Sequence, residues 1–135
     1  MLGIREIRSK VLEIGQQIGL DGNSTLYPSF SEPGKVFNEG ASIYVTPSQY
    51  HYIIFERGKI IKHYKIENIL YPLFKTITIN LASKYELEHR NGHEDTRKLR
   101  WKKQLELLKI VDTEFYEKRK KEIEEILKTF PYVQS

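Results

Sequence analysis

Four histidines, His51, His63, His89 and His93, are the side chains here that chemistry could most readily use. A zinc reading pairs His89 with His93 and adds Glu94 or Asp95. A spacing of four serves a metal when both imidazoles stand on one helical turn, but Asn91-Gly92 interrupts the chain between them. They read instead as surface residues of a polar loop, and no metal is expected. His51 and His63 fall on opposite faces of a hairpin and are not expected to converge. The carboxylates Glu86, Glu88, Glu94 and Asp95 lie close in sequence to Arg90, Arg97 and Arg100. An acid–base pair is conceivable, yet cations that near hold carboxylates ionised, which suits ion pairing better than proton transfer. No Ser or Thr stands in a nucleophile elbow, and no Gly-rich phosphate loop follows a strand. The chain therefore reads as a binding protein, with no catalytic residue and no cofactor.

What it binds has two readings at this level. Tyr50, Tyr52 and Tyr64 lie near Arg57, Lys59, Lys62 and Lys65, which resembles a stacking platform beside phosphate-binding cations. Against a nucleic-acid partner, tyrosines in strands are commonly half-buried with the hydroxyl at the surface. The net charge of +4 is also low for a dedicated nucleic-acid binder. From Thr96 to Lys121 there are ten Lys or Arg against four Asp or Glu, a basic segment that reads most simply as a solvated helix face.

The elements that must position these residues follow from periodicity. Leu2, Ile4, Ile7, Val11, Ile14 and Ile18 line one face of a helix over residues 2–20, weakened by Gly15 and Gly19 and ended by Asp21-Gly22-Asn23-Ser24. Residues 21–40 are turn-rich, with Pro28, Pro33-Gly34 and Gly40. Leu26, Tyr27, Phe30, Val36 and Phe37 could pin that loop or form a short strand. Strands are predicted over 41–46, 49–56 and 59–65, the last two joined at Arg57-Gly58, where glycine supplies the positive φ of a tight hairpin. Unbroken pairing sets Phe55 against Ile60, Ile53 against Lys62 and Tyr52 against His63. One face then carries Ile53, Phe55, Ile60 and Tyr64, and the other Tyr50, Tyr52, Ile54, Ile61 and His63. Neither face is fully polar, so helices are expected to cover one side.

Residues 66–90 are ambiguous. Ile66, Ile69, Leu70, Leu73, Phe74, Ile77, Leu81 and Tyr85 make a helical stripe, while 73–81 also alternates like a strand rich in β-branched residues. The stripe continues through Tyr85, so the prediction is a helix starting near Pro72 or kinked there. Whether 66–81 is one continuous helix stays open. Asp95 is placed as the N-cap of a helix to about Val111, with Trp101, Leu105 and Leu108 on one face. Asp112-Thr113 restarts a helix with the stripe Phe115, Tyr116, Ile123, Ile126, Leu127 and Phe130, supported by Glu117/Lys121 and Glu124/Lys128 and stopped by Pro131. The fold class is α+β: a small antiparallel sheet with a central hairpin, packed against about four helices in one domain spanning 1–135.

Composition is consistent with that. An apolar fraction of 39% with 12% aromatics can fill a core, and 30% charged residues of mixed sign argue against disorder. No cysteine is present, so neither a disulfide framework nor a thiolate site can form. Charges interrupt every apolar run near the N-terminus, and no stretch approaches the ~18 apolar residues of a membrane span. A cytoplasmic protein with no membrane partner is expected.

Several stretches taken together resemble a known family. They are Tyr50-His51-Tyr52-Ile53-Ile54-Phe55-Glu56-Arg57-Gly58, Ile69-Leu70-Tyr71, Ala82 to Arg90, Asp95 with Arg97, Gln104 to Leu108, Glu122 to Leu127, and Pro131-Tyr132. In this order and spacing they look like immunity protein family 63 of bacterial polymorphic toxin systems, over about 50–132. The resemblance implies a non-enzymatic protein encoded beside a toxin, which binds that toxin and prevents self-intoxication. Two positions depart from the pattern: Pro72, where an aromatic residue is expected, and Lys98, where a second arginine would follow Arg97.

Within that reading Glu56, Glu86, Arg90, Asp95 and Arg97, together with Arg57, are expected to form a structural ion-pair network joining hairpin and helices. The partner, a cognate toxin domain, is expected to meet Tyr50, Tyr52, Arg57, Lys59 and His63, together with the 21–40 loop, because Tyr and Arg make good hot spots. Self-association of the chain is left open.

Overall fold

The structure, a computed structural model, describes residues 2–31, 39–66, 68–90 and 92–133, with the side chain of Ile66 excepted. The expectations for Pro33-Gly34, Val36, Phe37 and Asn91 lie outside the described residues, as does the place of the Ile66 side chain in the helical stripe. The chain is α+β, with four helices and a four-stranded mixed sheet, and it divides into two compact units, Met1–Leu70 and Tyr71–Ser135.

In the first unit, helix α1 (Ile4–Gln17) buries Ile7, Val11 and Gly15, one residue per turn. Gly15, expected to weaken the helix, also makes room for a close contact. The Tyr27 side chain lies against its bare Cα, where any Cβ would overlap the phenol. Gly19, at φ 86°, ends the helix in a Schellman arrangement: Leu20 N–H donates to Gly15 O at 2.9 Å and Gly19 N–H to Gln16 O at 3.1 Å. The strands are β1 (Ser29–Phe30), β2 (Gly40–Val45), β3 (Tyr50–Glu56) and β4 (Lys59–Ile66), ordered β1-β2-β3-β4 in the sheet. The short β1 runs parallel to β2, and the other pairs are antiparallel. Leu2 N–H donates to the Tyr50 hydroxyl at 2.8 Å, which ties the start of α1 to β3.

The β3–β4 turn is tight as predicted, with Arg57 at φ 52° and Gly58 at φ 75°, the backbone of a two-residue primed turn. Glu39 accepts from both turn amides, at 3.2 and 3.4 Å. The register past the turn differs from the expected one. Phe55 faces Ile60, but a bulge beside Ile54/Phe55 then sets Ile54 against Lys62, Ile53 against His63 and Tyr52 against Tyr64. One extra residue in β4 moves every side chain beyond it to the other face.

The second unit holds α2 (Leu70–Glu88), α3 (Thr96–Val111) and α4 (Thr113–Thr129). Helix wins over strand in 70–88. Pro72 sits in the first turn, where its missing N–H is no loss, and Asn68 Oδ1 accepts from Leu70 N–H. The hydroxyls of Thr76 and Thr78 bond back to Pro72 O and Phe74 O, four residues earlier, so both β-branched residues fit the helix. Asp95 caps α3 by accepting from Arg97 N–H, and Asp112 caps α4 by accepting from Glu114 N–H. On the outer face of α4, Lys128 pairs with Glu125 at 2.8 Å, one residue away from the expected Glu124.

Candidate functional site

The bulge decides the chemistry of the sheet. Because His63 stands opposite Ile53, it shares a face with His51, and the two imidazoles meet at 2.9 Å between His51 Nδ1 and His63 Nε2. The expectation that they would not converge fails for that reason. His51 Nε2 lies 3.0 Å from Thr46 Oγ1, whose hydroxyl donates to Gln49 O. One proton arrangement satisfies the whole chain: His63 Nε2–H donates to His51, His51 Nε2–H to Thr46, and Thr46 to Gln49. It requires the His51 ring to be neutral, with its proton on Nε2. Burial, with His63 and Lys65 nearby, holds His51 below the ordinary histidine pKa. The Tyr44 ring stacks on His51 at 4.3 Å between centroids.

Among the residues predicted to meet a partner, Tyr50 and Tyr52 are 6% and 5% exposed, so neither ring offers a face to solvent. They form the inner layer of the sheet, and a base-stacking platform on them is closed. Arg57, Lys59 and His63 are exposed. Around them the sequence reading missed a row of apolar residues on β4, Ile60, Ile61 and Tyr64, which are 51%, 52% and 43% exposed. They are interspersed with Lys59, Lys62 and Lys65 along the terminal strand of the sheet. The signal was present as two isoleucines next to the turn, but the unbroken register put them on opposite faces of a sheet expected to be covered on one side.

The residues predicted as an ion-pair network fall into separate groups. Arg90 grips Glu86 through two bonds, 2.8 and 2.9 Å, across one turn of α2. Asp95 accepts from Arg97 and from Val133 N–H at 2.9 Å, while Arg97 donates to Phe130 O and Pro131 O, each at 2.9 Å. This clasp lays the tail after α4 against the start of α3, with the Arg97 guanidinium over Trp101 at 5.4 Å and Tyr132 beside that indole at 6.0 Å. These bonds hold the Glu86 carboxyl below its ordinary value and the Asp95 carboxyl well below the usual carboxylate range, the bonds from Arg90 and Arg97 contributing most. Glu56 stands in the first unit, opposite Lys59. Of the two histidines considered for metal, His89 stacks on Tyr85 and bonds its carbonyl, and His93 lies exposed beyond the helix. Among the described residues no cluster of three His, Asp or Glu is grouped as metal ligands would be.

The principal polar network of the second unit was not foreseen. Gln104, fully buried on α3, donates to Lys75 O at 3.1 Å and to the Thr78 hydroxyl at 3.3 Å, and accepts from Arg119 Nε of α4 at 3.0 Å. Arg119 also reaches Glu122 at 3.3 Å, and Glu122 accepts from Tyr71 at 2.7 Å and pairs with Lys75 at 3.0 Å. Burial pushes the Glu122 carboxyl up, but these bonds outweigh it and leave it below its ordinary value. Burial and the bond to Glu122 push the Tyr71 hydroxyl far up. Much of the basic segment 96–121 thus acts inside its own unit: Arg119 is buried, Lys103 lies over Tyr85 at 4.6 Å and Lys118 over Tyr71 at 4.5 Å.

Hollows occur in the first unit. One runs along α1 past Leu2, Arg5, Ser9 and Glu13; another lies between Arg8, Leu12, Asn23 and Tyr27. Among the described residues no helix is long and apolar enough to cross a membrane. In comparison with known proteins, a family model described as Immunity protein 63 matches residues 47–125. No curated protein and no solved structure matches the chain.

Proposed function

The chain belongs to the Immunity protein 63 family, and from that premise we propose that it is a cytoplasmic, non-enzymatic neutraliser of a cognate toxin from a bacterial polymorphic toxin system. It binds the toxin as a protein partner and occludes its active site. The observation that carries the binding surface is the β4 row, where Ile60, Ile61 and Tyr64 stand half-exposed among lysines. Large apolar side chains next to cations, at the rim of a sheet, are what a protein interface uses for anchoring and for steering. Arg57, Lys59 and His63 flank this row at the turn and along β4, Lys59 on the face of Tyr52 and His63 on the face of Ile53, and Tyr50 and Tyr52 are buried beside them on β3. A complex of this kind buries about 1,200–2,000 Å² in total. The structural role proposed for Glu86, Arg90, Asp95 and Arg97 is to set the ends of the helices, so that the helical unit holds its form.

Co-expression tests the reading. Cells producing the toxin encoded beside this gene should survive when the protein is present, and the two chains should co-purify. If cells die with the protein present and soluble, and the pair does not co-purify, the proposal fails.

A further inference from the structure

We propose that the toxin docks by adding an extended, acidic segment to the outer edge of β4, as a fifth strand of the sheet; this rests on the functional reading above. β4 is the last strand in the order β1-β2-β3-β4, and among the described residues no strand pairs with its outer side. Its backbone N–H and C=O groups on that side are a template for another chain. The bulge sits near the turn, so the stretch from Lys62 to Ile66 keeps a regular ladder with β3 and presents a regular edge.

Soluble proteins usually blunt such an edge by keeping it short or polar. This one is eight residues long, contains no proline and carries three half-exposed apolar side chains. Protection by lysine alone would not account for adjacent exposed isoleucines.

The charges select the occupant. β4 carries Lys59, Lys62 and Lys65 and no carboxylate. Lys62 stands opposite Ile54 and Lys65 opposite His51, on opposite faces of the sheet, so an added strand meets a cation on each face. An incoming segment with carboxylates on both faces and an apolar residue near Ile61 or Tyr64 matches that pattern. A second copy of this chain would set lysines beside lysines, which opposes edge-to-edge pairing.

The test measures amide hydrogen exchange and binding, with a catalytically inactivated form of the toxin domain encoded beside this gene as the probe. Exchange over 62–66 should slow on binding. The exposed double variant Lys62→Glu/Lys65→Glu, its fold checked by circular dichroism, should bind about tenfold or more weakly, with a matching drop in association rate and in salt dependence. If the wild-type chain binds the toxin but exchange over 62–66 is unchanged, the edge proposal is overturned while the neutraliser reading stands. If the free chain is a dimer in solution, with those amides already protected by a second copy, it is likewise overturned. If the wild-type chain does not bind the toxin, the functional reading falls, and this inference with it.

Discussion

The two units treat their buried polar groups differently. In the helical unit, Gln104, Arg119, Thr78 and Glu122 bond one another and the Lys75 carbonyl across three helices. In the sheet unit, the buried hydroxyls of Tyr27 and Ser42 have no partner among the described residues, and the rim strand turns apolar side chains outward. A closed network fixes one arrangement of helices, because each member lost strands another. The sheet unit leaves stabilisation unclaimed and keeps an edge open, which is the expected pattern where binding is favoured over stability. The helical unit therefore has the closed polar interior, and the sheet unit has the open edge that the proposed function uses.

The hardest way to break that contrast is to open the network. Arg119→Met should cost about 3 kcal/mol in urea unfolding, because it removes a buried cation and strands Gln104. Adding Gln104→Leu should return part of the loss, since both polar ends are then gone. A cost below about 0.5 kcal/mol, the range of an ordinary surface change, would mean the network is incidental.

In the sheet unit the largest effect should come from Gly15→Ala. Alanine favours a helix over glycine by about 1 kcal/mol, but here the added Cβ strikes Tyr27, and the net result should be a loss of about 1–2 kcal/mol. Tyr27→Phe alone should be neutral or stabilising, as it removes an unpartnered hydroxyl. The double variant should lose less than Gly15→Ala, because the overlap is greatest at that hydroxyl.

Acid should separate the two units. His51 is held below its unfolded value of about 6.5, so its contribution is full above that pH and is lost as pH falls toward the folded value. Glu86, Asp95 and Glu122 are also held low, but their contributions are full above an unfolded value of about 4 and fade only below it. Between pH 7.5 and 5.5, amide protection, taken after correction for the base-catalysed intrinsic exchange rate, should fall across β2–β4 and stay unchanged in α2–α4. His51→Gln should flatten the response of the sheet. An equal fall of protection in both units would erase the distinction. The smallest effect is Arg57→Asn, which eases a positive φ and should add about 0.5 kcal/mol in thermal unfolding.

Much of the helical frame was legible in the sequence. Asp95 and Asp112 marked both caps, the stripe through Tyr85 outweighed the strand-like alternation of 73–81, and Arg57-Gly58 marked the hairpin. The network was not legible, since Gln104 and Arg119 are residue types that a pattern reads as surface, and only the packing of three helices gives them partners. The bulge was hidden for a different reason. Nothing in Lys59 to Ile66 distinguishes an inserted residue from a regular one, yet that residue brings His63 to His51. Tyr27 against Gly15 is a contact between residues far apart along the chain pattern, and only the bare Cα pointed toward it.

The Arg97 clasp has a practical consequence in spectroscopy. The protein contains a single tryptophan, Trp101, with a guanidinium above it and Tyr132 at its side. Its emission is a built-in lamp for the closing of the C-terminal tail against the start of α3. A melt followed by that light reads the helical unit from within, and the sheet unit, which holds no indole, needs a lamp of its own.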